Sequence, residues 1–353
     1  MSTAGPQRQA SPSGTAADYM VDVAGLRKHF RVRSPGLGGP ARVVHAVSDI
    51  SFKLRGGRTL GIVGESGCGK STVARLLMGL IEADDGDIRL AGLQLGQRPE
   101  QLQAVRRKVQ MVFQDSFASL NPRLTVEASV MFGPQVHGAS RAQARRTAHD
   151  LLARVGLEPG RFAGRYPHEI SGGQRQRVNI ARALALQPQV VIFDEAVSAL
   201  DKSVEIQVLN LLLDLKAEFG LTYLFISHDL HVVQYVSDEV QVMYLGKIVE
   251  TGPVQAVYEN PSHPYTRALL ASMPSMDPRK RTLAAPIGGD PPSPIDPPSG
   301  CRFRTRCPHA AAPCASSEPL LHAVGTAGGP EHRAACHMLV QAHWPAPAAE
   351  VLP

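Results

Sequence analysis

Residues 64–71 read Gly64-Glu-Ser-Gly-Cys-Gly-Lys70-Ser71, and this stretch decides the fold of the chain. It fits the phosphate-binding pattern GxxxxGK[ST], the Walker A motif. A short apolar run over 60–63 precedes it, and a helical pattern from about Lys70 to Leu80 follows it. This order of strand, glycine loop and helix is the opening of a P-loop α/β fold.

The chemistry of the loop follows from its residue types. Glycines let backbone N–H groups converge on phosphate oxygens, and the helix N-terminus adds a partial positive charge. Lys70 supplies a point charge for the β and γ phosphates, and Ser71 offers a hydroxyl to Mg²⁺. Cys68 occupies a variable position and is interpreted as a small filler without a redox role. The candidate nucleotide-binding residues here are Gly64, Glu65, Ser66, Gly67, Cys68, Gly69, Lys70, Ser71 and Thr72.

A second half-site lies at 190–195, where the apolar run VVIF ends in Asp194 and Glu195. Carboxylates at the end of a buried strand lie at the edge where α/β sheets bind ligands. Asp194 is predicted to hold Mg²⁺ through water, and Glu195 to activate the attacking water as a general base. A buried strand followed by two exposed acidic residues is common by itself. Its occurrence together with a P-loop disfavours that structural alternative.

Residues 170–176, ISGGQRQ, match the signature sequence of ABC ATPases, and the chain resembles that superfamily. Two glycines after a serine, at the start of a helix, form another anion site at a helix N-terminus. The resemblance implies that two nucleotide-binding domains sandwich two ATP molecules head to tail. The signature of one subunit then contacts the nucleotide of the other. The predicted contact residues are Ser171, Gly172, Gly173 and Gln174.

The remaining marks of the superfamily occur in its usual order, and the resemblance covers about residues 20–340. Gln114, in MVFQD, matches the glutamine that senses Mg²⁺ and touches the membrane subunits. Asp201 ends the D-loop sequence SALD, and His228 matches the switch histidine that contacts the γ-phosphate. Phe30 stands where the family stacks an aromatic ring on adenine. A buried core phenylalanine is the alternative for Phe30.

These motifs and the hydrophobic patterns predict the fold class. It is an α/β P-loop ABC ATPase with a RecA-like core, an antiparallel β edge subdomain, an inserted helical signature subdomain and a small cysteine-containing C-terminal extension. Residues 20–33 and 42–54 predict a hairpin around the loop SPGLGGPA. Strands are predicted at 109–113, 190–193 and 221–226, the last two central in a largely parallel sheet, and helices over about 126–185.

The predicted domain organisation has four parts. They are a disordered leader at 1–18, an ABC nucleotide-binding domain at 19–255 with its helical subdomain at about 115–185, a C-terminal extension at 256–340, and a tail at 341–353. The sequence DPPSPIDPPSG, at 290–300, predicts a semi-rigid linker into the cysteine-bearing region.

Three stretches resemble the ATPases of oligopeptide and dipeptide importers: QMVFQDSFASLNPRLTV, NPSHPYTRALLASMP and PPSGCRFRTRCPHA. The resemblance implies four kinds of partner: a second ATPase subunit, two transmembrane permeases and an extracytoplasmic solute-binding protein. The chain resembles the F-type member of the usual ATPase pair, so a D-type paralogue is expected beside it. Ala196-Val197 replaces the family's usual Pro-Thr but touches no phosphate ligand, so activity is expected to survive.

Other functions stay open at this point. The same importer group includes nickel, opine and sugar systems. A soluble ABC ATPase that acts on nucleic acid or ribosomes is a further alternative. The net charge of +6 is spread along the chain and does not argue for nucleic acid, which is therefore not expected as a partner.

Composition and the lengths of apolar runs indicate the class of the protein and its expected location. Hydrophobic residues make up 43% and charged residues 19%, which argues against a chain that is disordered throughout. No apolar run approaches the length of a transmembrane helix, and the N-terminus lacks the apolar core of a secretory signal. The expected location is the cytoplasmic face of the inner membrane, as a peripheral subunit.

Four of the five cysteines lie in the last fifth of the chain: Cys301, Cys307, Cys314 and Cys336. In a reducing compartment such clustering indicates a metal site rather than disulfides. In some family members the similar region carries a [4Fe–4S] cluster, and the resemblance implies one here. Zinc held by the same thiolates and free thiols in a packed tail are the alternatives. Arg302, Arg304 and Arg306 are expected to offset the ligands' charge.

Overall fold

The computed structural model describes residues 19–32, 42–96, 98–273, 289–324 and 331–340. Its strands are β1 Tyr19–Val32, β2 Arg42–Arg55, β3 Thr59–Val63, β4 Asp85–Leu90, β5 Leu93–Gln94, β6 Val109–Val112, β7 Val190–Asp194, β8 Thr222–Ile226, β9 Glu239–Tyr244, β10 Lys247–Pro253, β11 His322–Ala323 and β12 Arg333–Ala334. Its helices are α1 Lys70–Leu77, α2 Pro99–Lys108, α3 Val126–Val136, α4 Arg141–Arg154, α5 Pro159–Phe162, α6 Gly172–Leu184, α7 Lys202–Phe219, α8 Leu230–Val236, α9 Val254–Glu259, α10 Pro264–Ala271, α11 Ala312–Ser316 and α12 His337–Val340.

The predicted hairpin is present, and it belongs to a sheet of its own. β1 and β2 pair antiparallel, and β4 and β5 extend them into a four-stranded sheet ordered β2-β1-β4-β5. The sequence patterns did not predict β4 and β5. The leader at 1–18, the hairpin loop SPGLGGPA and the tail at 341–353 lie outside the described residues.

The second sheet has the order β11-β12-β10-β9-β3-β8-β7-β6. Its strands β9, β3, β8, β7 and β6 run parallel, and every residue of β3, β7 and β8 is buried. A strand covered on both faces reads as a continuous apolar run, which explains VVIF at 190–193. Both this strand, β7, and the predicted strand at 221–226, β8, lie inside the parallel part of the sheet. Strand β8 is the middle strand of that part, and β7 lies between β8 and the edge strand β6.

The inserted helical region comprises α3, α4, α5 and α6, as predicted for about 126–185. Helix α4 buries Ala144, Ala148, Leu151 and Leu152, the four-residue spacing of one helix face. Its N-terminus carries a capping box, in which Ser140 and Gln143 bond each other's backbone N–H groups. Helices α3, α4 and α6 pack on one another, and α6 also contacts β6 and α7.

The C-terminal extension is joined to the core sheet. Strand β12 pairs antiparallel with β10, and β11 pairs with β12. The buried carboxylate of Glu250, in β10, accepts hydrogen bonds from the backbone N–H groups of Ser262 and His263 and lies 2.7 Å from His332 Nε2. The predicted linker also packs on the core, because the backbone N–H of His45 donates to the Pro294 carbonyl.

In the parts of the chain that the structure describes, no helix combines the length and the apolar character needed to cross a membrane.

Candidate functional site

The Walker A loop lies between the end of β3 and the start of α1. Gly69, the residue before Lys70, has φ 109°, and a Cβ there would lie 2.2 Å from the carbonyl oxygen of Ala46 in β2. Only glycine fits this close approach. Ser66 and Gly67 are exposed at the loop tip, Glu65, Ser71 and Thr72 are half-buried, and Cys68 is 3% exposed. Burial raises the pKa of the Cys68 thiol, which favours its neutral form.

Lys70 is buried, and its ammonium group donates to two carbonyls of its own loop. Nζ lies 2.7 Å from the Gly64 oxygen and 3.0 Å from the Glu65 oxygen. An ammonium desolvated inside a loop of glycines and a helix N-terminus is well placed to attract phosphate. The sequence predicted that Lys70 contacts the β and γ phosphates, and the position of its ammonium group is compatible with that contact.

Ser71 and Asp194 come from sequence positions 123 residues apart, and the structure joins them. Ser71 Oγ donates to Asp194 Oδ1 at 2.9 Å, at the ends of α1 and β7 that face each other. Burial raises the pKa of Asp194, and the charge of Glu195 acts in the same direction. A hydroxyl beside a carboxylate supplies the hard oxygen ligands that Mg²⁺ prefers, with phosphates completing its shell. The residues therefore fit Mg²⁺, with Ser71 and, through water, Asp194 as the groups that would hold it. The amide of Gln114, the third residue predicted for Mg²⁺, donates to Glu195.

Glu195 lies at the centre of three predicted site residues. Its Oε2 accepts a hydrogen bond from Gln114 Nε2 at 3.0 Å and lies 3.3 Å from His228 Nδ1. Glu195 has φ 50°, and its N–H donates to the Ile226 carbonyl in β8. A non-glycine residue in the left-handed region is strained, and such strain is concentrated at functional sites. This carboxylate, flanked by an amide and an imidazole, can accept a proton from water.

The signature sequence forms the N-terminus of α6. Ser171 caps the helix, since its Oγ accepts from the Gln174 N–H and the Gln174 side chain accepts from the Ser171 N–H. Gly173 is close-packed, because a Cβ there would lie 2.4 Å from Val204 Cγ1 in α7. Ser171 is exposed and Gly172 is half-buried. The exposed N-terminus of α6 carries the partial positive charge of the helix and suits an anion.

The D-loop and the switch histidine are linked by an ion-pair network that the sequence did not predict. Lys202, the residue after Asp201, lies 2.7 Å from Asp229 and 2.9 Å from Glu205. Asp229 immediately follows His228 and caps α8. The hydrogen bonds that the Lys202 ammonium donates to Asp229 and Glu205 raise the pKa of Lys202. Ser198 Oγ donates to the Glu195 carbonyl at 2.8 Å, which ties the D-loop to the general-base candidate.

Phe30 lies on β1 and is 36% exposed, so the buried-core alternative is wrong for this residue. Its partner across the hairpin is Val44, two residues before Ala46, whose carbonyl contacts the Walker A loop. Phe30 is therefore paired with the stretch of β2 that also contains the Ala46 contact to the phosphate-binding loop. An exposed aromatic ring can stack on a planar base.

The four C-terminal cysteines line one small cavity, together with His263 and Phe303. Burial raises the pKa of Cys301 to about 11 and also raises the pKa values of Cys307 and Cys336. Among the described residues, no group of three or more Cys, His, Asp or Glu side chains is arranged to hold a metal ion. The cysteines are therefore brought together, but a bound metal is not supported by this geometry.

Two of the three arginines that were expected to offset the charge of these cysteines have other hydrogen-bond partners. Arg306 pairs with Glu65 of the Walker A loop, and Arg302 donates to the carbonyl of Leu245. Tyr265 also reaches the Walker A loop, since its hydroxyl accepts from the Glu65 N–H at 2.9 Å. No local pattern in the sequence indicates these contacts, because Arg306 and Glu65 are 241 positions apart.

Two protein families match this chain. The family described as "ABC transporter" matches residues 47–198, and the family described as "Oligopeptide/dipeptide transporter, C-terminal region" matches residues 249–314. The first match covers the Walker A loop, the signature sequence and the strand that ends in Asp194, and the second covers the start of the extension up to Cys314.

Individual relatives are similar over nearly their whole length. A probable peptide ABC transporter ATP-binding protein of Sinorhizobium fredii is 48% identical over 96% of this chain and 94% of its own length. An oligopeptide transport ATP-binding protein of Escherichia coli is 47% identical over 86% of this chain and 92% of its own. A dipeptide transport ATP-binding protein of the same organism is 45% identical, over 90% and 95%.

Solved structures show the same fold. A component of the cbiONQ ABC transporter complex of Clostridium perfringens aligns with a TM-score of 0.60 and 27% identity, over 69% of this chain and 92% of its own. A dimeric ATP-binding cassette in a post-hydrolysis state, bound to ADP and Pi, aligns with a TM-score of 0.58 and 26% identity, over 67% and 99%. The chain therefore belongs to the ABC transporter family, as an ATP-hydrolysing ATP-binding protein of its oligopeptide/dipeptide group.

Proposed function

We propose that this chain powers the uptake of oligopeptides or dipeptides through a membrane importer by binding and hydrolysing ATP. The observation that carries the proposal is the convergence of Gln114 and His228 on Glu195, beside the Ser71–Asp194 pair. The peptide substrate is supported by the names of the relatives and by the match of the extension. The relatives described above are transport proteins, which does not favour action on nucleic acid or ribosomes.

Each residue of the site has a part in the proposed hydrolysis. Lys70 and the N–H groups at the start of α1 bind the β and γ phosphates. Mg²⁺, when bound, neutralises charge that develops on the phosphate oxygens. Glu195 accepts the proton of the attacking water. Gln114 senses Mg²⁺ and His228 contacts the γ-phosphate, and both side chains lie against the Glu195 carboxylate. Phe30 stacks on adenine.

We infer that the working unit contains two ATPase subunits. The capped N-terminus of α6 is an anion site additional to the Walker A loop, and one nucleotide does not need both. Ser171, Gly172, Gly173 and Gln174 then contact the γ-phosphate held by the second subunit, and Asp201 lies at the interface. Support comes from the aligned dimeric cassette. The second subunit is proposed to be a D-type paralogue.

We propose that permease subunits dock beside Gln114. An apolar groove there is lined by residues of the segment around Gln114 and of α3, and it presents the exposed side chains of Leu80, Phe113 and Phe132. Exposed apolar rings in a groove indicate an interaction site, and a cytoplasmic segment of a permease is the occupant proposed here. The chain would then lie at the cytoplasmic face of the membrane, with a solute-binding protein on the other side.

We propose the domain boundaries that the sequence predicts. The nucleotide-binding domain would occupy 19–255, with the helical subdomain at about 115–185, and the extension 256–340. The mutual packing of α3, α4 and α6 supports the helical subdomain. The pairing of β12 with β10 argues that the extension folds onto the core sheet rather than independently.

We also propose that the four C-terminal cysteines bind a [4Fe–4S] cluster, with zinc as the rival. The support is their placement around one cavity. A single zinc ion would need sulfurs about 4 Å apart, because Zn–S bonds of about 2.3 Å are arranged tetrahedrally. A cluster takes one thiolate on each of its four irons and spreads the sulfurs farther apart. The described residues contain no group of three or more Cys, His, Asp or Glu side chains that could hold a metal ion, so the proposal rests on the placement around the cavity and on the resemblance.

A transport assay tests the proposed function. Cells that lack the chromosomal copy of the gene would receive either the intact chain or Glu195→Gln, together with the remaining importer subunits. We expect uptake of labelled di- and oligopeptides with the intact chain only. Restored uptake of nickel or a sugar without peptide uptake would overturn the peptide assignment, and ATPase stimulation by nucleic acid alone would overturn the transport function.

A further inference from the structure

We propose that Arg306 and Tyr265, both from the C-terminal extension, are positioning residues that hold the Walker A loop in its phosphate-binding shape. Both act on Glu65, the second residue of the loop. Neither residue belongs to a nucleotide-binding motif. The extension would then be part of the ATP site, through what is called here the Glu65 clamp: Glu65, Tyr265 and Arg306.

The ionic half of the clamp is bidentate. Arg306 Nη1 lies 2.9 Å from Glu65 Oε2, and Nη2 lies 3.1 Å from Oε1. The Arg306 side chain is 7% exposed and that of Glu65 is 23% exposed, so solvent screens the pair little. Two parallel hydrogen bonds fix the plane of the carboxylate as well as its position. Arg306 Nη1 also donates to the Tyr244 hydroxyl at 3.4 Å, which further restrains the guanidinium.

The second half of the clamp acts on the backbone. The Glu65 N–H donates to the Tyr265 hydroxyl at 2.9 Å, so this N–H is directed at the extension. Tyr265 is fully buried, and its ring packs against Tyr244 and Phe303 at centroid distances of 4.6 and 5.4 Å. The hydroxyl therefore has little freedom to follow the loop. The hydrogen bond therefore forms only when the backbone N–H of Glu65 lies beside the fixed position of this hydroxyl.

Fixing Glu65 also fixes the contacts that its carbonyl makes inside the loop. The Glu65 oxygen accepts from Lys70 Nζ at 3.0 Å and from the Cys68 N–H at 3.3 Å. Glycines at 64, 67 and 69 have positive φ, so the loop backbone is permissive and gains from an external restraint. A restraint that preforms a binding loop lowers the entropy lost on binding. The clamp thus favours the arrangement in which Lys70 and the loop N–H groups face phosphate.

A matched ion pair separates this role from simple attachment of the extension. Lys247 Nζ in β10 lies 2.6 Å from Glu318 Oε1 in the extension, so this pair also joins the two parts of the chain. It involves no residue of the Walker A loop. If both ion pairs serve only to attach the extension to the rest of the chain, removal of either pair should have the same effect on Mg·ATP affinity.

The experiment measures Mg·ATP affinity of the full chain by titration calorimetry, together with steady-state ATPase kinetics and thermal unfolding. We expect Arg306→Gln and Tyr265→Phe each to weaken Mg·ATP binding, with kcat/KM lower by about 10- to 100-fold, because small displacements of positioned groups cost that much. Arg306→Lys should recover part of the loss, since it keeps the charge without the bidentate geometry. Glu318→Gln should leave Mg·ATP affinity unchanged.

A double variant gives the decisive outcome. Arg306→Gln combined with Glu65→Gln should lose no more Mg·ATP affinity than the worse single variant, because both changes remove the same contact. Losses that add up independently would overturn the proposal, as would unchanged affinity in folded Arg306→Gln and Tyr265→Phe. If Arg306→Gln does not fold, the nearly isosteric Tyr265→Phe decides, and its unchanged Mg·ATP affinity would equally overturn the proposal. Peptide uptake does not enter this measurement, so its outcome is independent of the transported solute.

Discussion

The carboxylate of Glu195 accepts a hydrogen bond from the side-chain amide of Gln114, with 3.0 Å between Nε2 and Oε2. The two residues follow neighbouring parallel strands, β7 and β6, and their side chains meet at the carboxyl edge of the sheet. Gln114 is exposed and adjoins the apolar groove, whereas Glu195 is half-buried. If a docking partner displaced the segment that contains Gln114, the hydrogen bond to Glu195, the general-base candidate, would therefore change directly.

Lys70→Ala is expected to weaken Mg·ATP binding by roughly 10- to 100-fold, because a charged hydrogen bond to phosphate is lost. The ammonium group also donates hydrogen bonds to two carbonyls of its own loop, so its removal loosens the loop as well. Equilibrium titration of the full chain with Mg·ATP measures the change. Unchanged affinity would argue against the contact with the β and γ phosphates.

Gly69→Ala and Gly67→Ala form a matched pair in the same loop. A Cβ at Gly69 would overlap the Ala46 carbonyl at 2.2 Å, whereas a Cβ at Gly67 meets nothing within 4 Å. Both glycines have positive φ. We expect the free energy of unfolding to fall by roughly 3 kcal/mol or more for Gly69→Ala and by about 1 kcal/mol for Gly67→Ala. Denaturant unfolding of both variants checks this, and equal losses would contradict the close contact with β2.

Ser171→Arg is expected to block ATP hydrolysis while the isolated subunit still binds Mg·ATP. The change introduces a long charged side chain at the exposed N-terminus of α6, where the second subunit's nucleotide is proposed to lie. ATPase rate and monomer affinity are measured on the same preparation, with Lys70→Ala as the control that loses binding. Loss of monomer binding in Ser171→Arg would count against the two-subunit sandwich.

Anaerobically purified full chain is expected to be brown and to contain about four irons per chain. Cys307→Ser should remove the broad visible absorbance and leave Mg·ATP binding largely intact. Because burial raises the pKa of Cys301 to about 11, its thiol is protonated at neutral pH without metal, and cluster or zinc loading should release protons. Colourless protein with stoichiometric zinc would favour the rival, and colourless protein without metal would favour free thiols.

The central strands and the nucleotide motifs were predictable because their signals are local. An apolar run of four residues ending in Asp194, or a glycine loop ending in Lys70, carries its structural context in a few neighbouring residues. The helical subdomain followed from periodic apolar residues for the same reason. Strands β4 and β5 were not predicted. In β4, DGDIRL, only Ile88 and Leu90 are buried, which is too few residues to establish a period.

The contacts between distant segments could not be predicted from one sequence. Arg306 reads as one of three basic residues among cysteines, and its partner Glu65 occupies a variable position of Walker A. Nothing in either neighbourhood indicates the other, and the pairing depends on how β12 and the extension pack against β10. The link between Lys202 and Asp229, which joins the D-loop to the switch histidine, is hidden in the same way.

The central claim is that Glu195 is the general base of an ATPase. It is tested most directly by the single-turnover hydrolysis rate of Glu195→Gln, measured with Mg·ATP affinity on the same protein. The substitution keeps the shape of the side chain and the neighbourhood of Gln114 and His228, and it removes only the proton acceptor. We predict a rate lower by about 100- to 10,000-fold, with Mg·ATP affinity retained and a closed dimer accumulating. Hydrolysis at the rate of the unsubstituted chain would contradict the account.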